Sequence, residues 1–173
     1  MLKSEIELTS LLETVSQAKT FLVGLNEKEY QTIMAPHFSS SAGAHMRHIL
    51  DHYLALRNGV EHGVINYNKR HRHSDIESCP QAALSAWEEL QTWLTEVCQL
   101  NADLPLTVIC ETSVNQTHNT HSRSTLAREL VFVSSHAIHH FSLLAVMSSL
   151  LGQQTESQFG IAPSTATFLR QRA

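Results

Sequence analysis

The stretch SSHAIHHFSLLAVMSSLLG, residues 134–152, constrains this chain more than any other. It opens with His136, His139 and His140 and continues through more than two turns of almost wholly apolar sequence. A run of that kind belongs in a helix whose apolar side lies in a core. Histidines at its head are not casual there: each imidazole nitrogen needs a partner, and a buried polar group without one costs about 1–3 kcal/mol. His136 and His140 are four residues apart, so on a helix they stand one above the other on a single face. Two imidazoles held that way can grip one divalent ion, with a third ligand arriving from another element.

The segment SAGAHMRHILDHY, residues 41–53, is the candidate source of that third ligand. His45, His48 and His52 sit there at i, i+3 and i+7, and span only about 60° of a helix surface. Such a stripe is either a wet polar face or the wall of a polar site. Histidine accounts for 12 of the 173 residues. Chance alone therefore supplies pairs at i,i+4, and His48/His52 competes with His136/His140. Three imidazoles and a water form the catalytic arrangement of zinc, and nickel or ferrous iron also accept imidazole. The alternatives are a hydrogen-bonded cluster of buried histidines and a solvated histidine face. His45, His52 and His139 read as polar lining, or as groups standing behind the ligands. Asp51 follows His48 at i+3 and either orients an imidazole or pairs with Arg47. Glu129 shares a face with His136 but lies two turns away, about 10 Å along the axis, too far to ligate the same ion.

Periodicity organises the rest of the chain. Leu8, Leu11, Leu12, Val15, Ala18 and Leu22 predict a core helix over residues 4–23, stopped at Gly24. Residues 25–40 read as irregular. A second helix over residues 41–59 is capped by Ser41. Residues 60–79 read as a long loop, locally basic through Lys69, Arg70, His71, Arg72 and His73. It is either a solvated loop or, through Arg70 and Arg72, an anion-binding rim over a site. Ser78-x-x-Gln81 is a capping box with Pro80 in the first turn, and predicts a third helix to about residue 100. The β-branched run at residues 106–110 and the turn-rich residues 115–124 predict a short hairpin. A fourth helix, running from about Ser124 or Thr125 to Leu151 and closed by Gly152, is expected to be the most buried. The tail predicts a short last helix capped by Ser164 or Thr165. The expected fold is one all-α domain over residues 1–173. It is a four-helix bundle with long crossover connections, because links of about 16–24 residues exceed tight hairpins.

Composition closes several routes. The net charge of −4 gives no reason to expect a nucleic-acid partner. The charged N-terminus has no apolar signal core, and no window of about twenty apolar residues predicts a membrane span. Cys79, Cys98 and Cys110 are odd in number and form no C-x-x-C, which predicts a reducing, cytoplasmic setting.

Two motifs carry a resemblance. Ser41-Ala-Gly43 is followed by His48, and His136 with His140 is followed by an apolar run ending in Leu151-Gly152. In order and separation they resemble the DinB-like four-helix proteins, which include YfiT-like metal-dependent hydrolases and thiol transferases. That resemblance implies a metal triad of His48, His136 and His140, holding zinc or nickel, and a homodimer. It implies a small-molecule substrate and a metal-dependent transferase using a low-molecular-weight cellular thiol, or else a hydrolase. A non-catalytic metal-binding or stress-response module is the alternative. Arg70 and Arg72 would then hold the carboxylates of the thiol. Phe141-Ser142-Leu143 stands where many members carry Gly-Gln. Ligand imidazoles must be neutral, so metal affinity is expected to fall as pH drops through about 6.5.

Overall fold

The computed structural model describes residues 7–172. Four long helices make the body: α1 (Leu8–Val23), α3 (Ala42–Val60), α4 (Pro80–Val97) and α5 (Leu126–Leu150). Between them lie a short α2 (Glu27–Gln31) and three strands, β1 (Val64–Asn66), β2 (Pro105–Glu111) and β3 (Asn119–Thr125), and α6 (Pro163–Arg170) ends the chain. The expected start of the first helix at Ser4 lies outside the described residues.

The all-α expectation is corrected by a three-stranded mixed sheet in the order β1-β2-β3. β1 runs parallel to β2, pairing Val64 with Thr107 and Asn66 with Ile109. β2 and β3 form the expected hairpin, with Pro105 opposite Thr125 and Glu111 opposite Asn119. The missed strand is three residues long, too short for any alternation to show, and its ladder partners sit some forty residues further on.

Side-chain caps decide where two of the long helices begin. The Ser41 hydroxyl accepts from the Ala44 amide at 3.2 Å. The Thr125 hydroxyl accepts from the Arg128 amide at 3.3 Å. Each such cap is worth about 1 kcal/mol. The Ser78 capping box does not form: Cys79 is the N-cap of α4, and the Ser78 hydroxyl donates instead to the Asp75 carbonyl. Pro80 at the first helical position already supplies the required φ. No side chain caps α6 either, which starts at Pro163 behind Ala162. Residues 25–40 are not wholly irregular. Asn26 and Glu29 form a reciprocal capping box at the head of α2, the signature that the sequence carries as N-x-x-E.

The core lies between α1 and α4 on one side and α3 and α5 on the other. Trp87, Tyr53, Phe141, Met46 and Leu94 are fully buried in it. The expectation that the fourth helix is most buried is corrected. α5 buries nine of its 25 residues, mainly the single stripe Leu126, Leu130, Val133, Ala137, Phe141 and Leu144. α3 buries eleven of 19 and is the enclosed one. α5 is also long and apolar enough to cross a membrane by length and composition, with mean hydropathy 1.5 over eighteen residues. It is the one such helix among the described residues, and its buried stripe packs on this core.

Two glycines explain why α3 is so covered. A Cβ at Gly43 would lie 2.0 Å from the Glu77 carbonyl oxygen, and one at Gly59 would lie 2.6 Å from that of Val64. The connection between α3 and α4 therefore docks by its backbone at both ends of α3. Read as a loop, it holds β1 and a 3-10 turn at Asp75–Glu77. The buried Tyr30 secures that turn by donating its hydroxyl to the Ile76 carbonyl at 2.7 Å.

Candidate metal centre

α3 and α5 pack together so that their histidine stripes face each other. His48 from α3 meets His136 and His140 from α5, with one ligand-type nitrogen of each within 4.8 Å of the others. Their ring centroids form a near-regular triangle: His48–His136 5.0 Å, His48–His140 4.7 Å and His136–His140 4.6 Å. His48 Nε2 and His136 Nε2 lie 3.1 Å apart. A tetrahedral ion with bonds of about 2.0–2.1 Å sets its nitrogens about 3.3 Å from one another. The His48–His136 pair matches that spacing, and the third nitrogen lies within 4.8 Å of both.

The surrounding bonds select which nitrogen each ring turns inward. His140 Nδ1 is 2.9 Å from His45 Nδ1, and His45 Nε2 is 3.0 Å from the Ser40 hydroxyl. A consistent proton assignment has His140 Nδ1–H donating to His45 and His45 Nε2–H donating to Ser40. That leaves the His140 Nε2 lone pair free for an ion. His45 thus stands behind a candidate ligand, as a hydrogen-bond partner that fixes its tautomer. His52 donates from Nδ1 to the His48 carbonyl at 2.9 Å. Its ring lies 4.1 Å from that of His136, tilted by 32°, and stacks on Tyr67 at 5.2 Å. It is a wall of the site and stands outside the set of three. His139 is exposed and meets the edge of His140 at 5.3 Å.

The imidazoles are neutral at physiological pH. Burial, reinforced by neighbouring cationic groups, pushes His48 down to about 2, His136 to about 3 and His140 to about 4. His45 and His52 are lowered too, in each case chiefly by burial. Neutral imidazole is the ligating form. Proton competition for the folded site therefore begins near pH 4, well below the value of about 6.5 expected for free histidine.

Asp51 does not orient His48. Its buried carboxylate accepts from Arg47 Nη1 at 2.6 Å, and from the His71 amide and His71 Nδ1 at 3.1 and 2.7 Å. Arg47 also donates from Nε to Glu77 at 2.6 Å, and Glu77 accepts from the His73 amide at 3.2 Å. Of the two readings of Asp51, pairing with Arg47 is the one realised, and it ties the basic connection to α3. The charge of Arg70 contributes to lowering His48, His52, His136 and His140, whereas Arg72 contributes to none of them. Tyr67 and Phe132 escaped the sequence reading. Tyr67 stacks on His52 and donates to the buried Glu129 at 2.6 Å. Phe132 stacks on His136 at 5.9 Å, and its position four residues before His136 was the available signal.

No family model matches the chain. FK506-binding protein 5 of Rhizopus delemar is 31% identical over 109 residues, which is 63% of this chain and 28% of that protein. The chain thus spans well under a third of its relative's length. The DinB-like, YfiT-like assignment is overturned by this match to a protein named for FK506 binding, and the mixed sheet already departs from the all-α bundle it implied. The thiol-transferase and hydrolase activities, and the stress-response module, fall with it.

Proposed function

We infer that His48, His136 and His140 hold one divalent ion, zinc or nickel, as the functional centre of this domain. The observation that carries this is the triangle of three neutral imidazoles contributed by two packed helices. Bound there, the ion supplies Lewis acidity to whatever small ligand takes its remaining position. The chain's own part is to hold three nitrogens rigidly, fix the His140 tautomer through His45 and Ser40, and wall the site with His52, Tyr67 and Phe132. Zinc titration followed by elemental analysis tests this, with one ion per chain expected. Retention of a full equivalent by a double variant lacking His136 and His140 overturns it. If His52→Ala alone strips the ion, the ligand from α3 is His52 and not His48.

A second reading is favoured by the name of the relative. It is an FKBP-type role, in which this domain contributes to binding FK506 or to prolyl-bond isomerisation. Titration with FK506 distinguishes it: saturable binding that survives loss of the three histidines supports it, and no binding removes it. A reducing, cytoplasmic setting is part of the proposal, supported by three cysteines that are all free. A homodimer is proposed with it, to be checked by light scattering at micromolar concentration.

A further inference from the structure

We propose that the open face of the histidine centre is a site for a small carboxylate, held between the metal ion and the guanidinium of Arg70. This rests on the metal reading above and names the ligand of that same centre.

The placement of Arg70 is built into the fold. The segment from Tyr67 to His71 is pinned at both ends beside the histidines. At one end the Tyr67 ring stacks on His52, its hydroxyl is bound by Glu129, and its amide donates to the Ile109 carbonyl at 3.0 Å. At the other end His71 is hooked by amide and ring to Asp51, the residue next to His52 on α3. Between them Asn68 is turned to the hairpin, bonding Asn119 at 2.7 Å and accepting from the Glu111 amide at 2.7 Å. Arg70 is thus held one residue from the Asp51 anchor, and its charge reaches four histidines of the site.

Arg70 is in none of the ion pairs among the described residues, whereas the carboxylates of Asp51 and Glu77 are already engaged. Asp51 serves Arg47 and His71, and Glu77 serves Arg47. Three neutral imidazoles leave a divalent ion its full charge, so ion and guanidinium together form an uncompensated positive face. A cation beside a cation is unfavourable until an anion lies between them. A carboxylate suits the gap, since its two coplanar oxygens can serve the ion and the guanidinium fork at once.

The experiment uses the full chain loaded with cobalt(II), whose visible absorption reports its coordination, titrated with acetate. The spectrum is expected to shift saturably with acetate. Arg70→Ala should weaken acetate about tenfold while leaving cobalt affinity equal or tighter, because a repelling charge has gone. Arg70→Lys should recover part of the loss, since it restores the charge without the fork. Weaker acetate binding without any loss of cobalt affinity is the signature that a merely structural role would not produce. Equal acetate affinity in the wild type and Arg70→Ala overturns the assignment while the metal centre stands. So does a loss confined to Arg72→Ala, or phosphate binding more tightly than acetate. If the wild type takes up no cobalt, the metal reading itself has failed, and this inference with it.

Discussion

α3 carries two polar clusters, and they solve the same problem in opposite ways. On the stripe that faces α5, His45, His48 and His52 are buried or half-buried and neutral, their charged forms suppressed by burial. On the side that faces the connection to α4, the half-buried Arg47 and the buried Asp51 are ion-paired to each other and matched by Glu77 and His71. A buried group can avoid the cost of an isolated charge by staying neutral or by finding a partner. The paired cluster is saturated by its own members and acts as a fastener. The neutral cluster brings one nitrogen from each of three rings within 4.8 Å of the others, and that convergence is what makes it a candidate site. Burial of polar side chains is therefore no guide to function by itself.

The comparison can be broken most severely at the histidines. The double variant His136→Ala, His140→Ala should lose its bound ion altogether, from one per chain to background, while circular dichroism stays helical. Elemental analysis after gel filtration reads the outcome. The fastener should respond in stability instead. Asp51→Ala leaves His71 unhooked and Arg47 with Glu77 alone, and should cost about 3 kcal/mol in urea unfolding. Zinc content should survive in the folded fraction.

Acid tests the neutral cluster. For the metal-free protein, the lowered histidines take up protons in the unfolded state first. Between about pH 6.5 and pH 4 the unfolded chain binds more protons than the folded one, so stability falls as pH falls through that window. Melting temperature should drop steadily across it. Replacing His136 and His140 by Gln should flatten the drop, because fewer groups then differ between the two states. The smallest expected effect lies at the shared foundation. Ser41→Ala removes the cap of α3 and should cost about 1 kcal/mol, with both clusters intact.

Much of the frame was legible in the chain because it is local. The apolar stripe of α1, the cap at Ser41, the approximate start of α5 and the i,i+4 spacing of His136 and His140 depend on residues a few positions apart. Propensity and pattern read such features directly. The Ser78 box failed because its hydroxyl found a closer carbonyl, and the burial of α5 was overestimated because composition does not say how many neighbours arrive. The hairpin was visible in its β-branched and turn residues, but β1 was not, since three residues carry no period.

By itself the sequence determined that long helices form, where two of them start, and that two histidines share a face of the last long one. Only the tertiary structure decided that His48 meets that pair across 88 positions, that His52 turns aside to a carbonyl, and that Asp51 holds a loop rather than an imidazole. The physical reason is one of range. Helix periodicity and caps are settled by neighbours within a turn. A buried imidazole or carboxylate takes its partner from whatever segment packing brings within about 3 Å, and that choice is made only when the chain closes on itself.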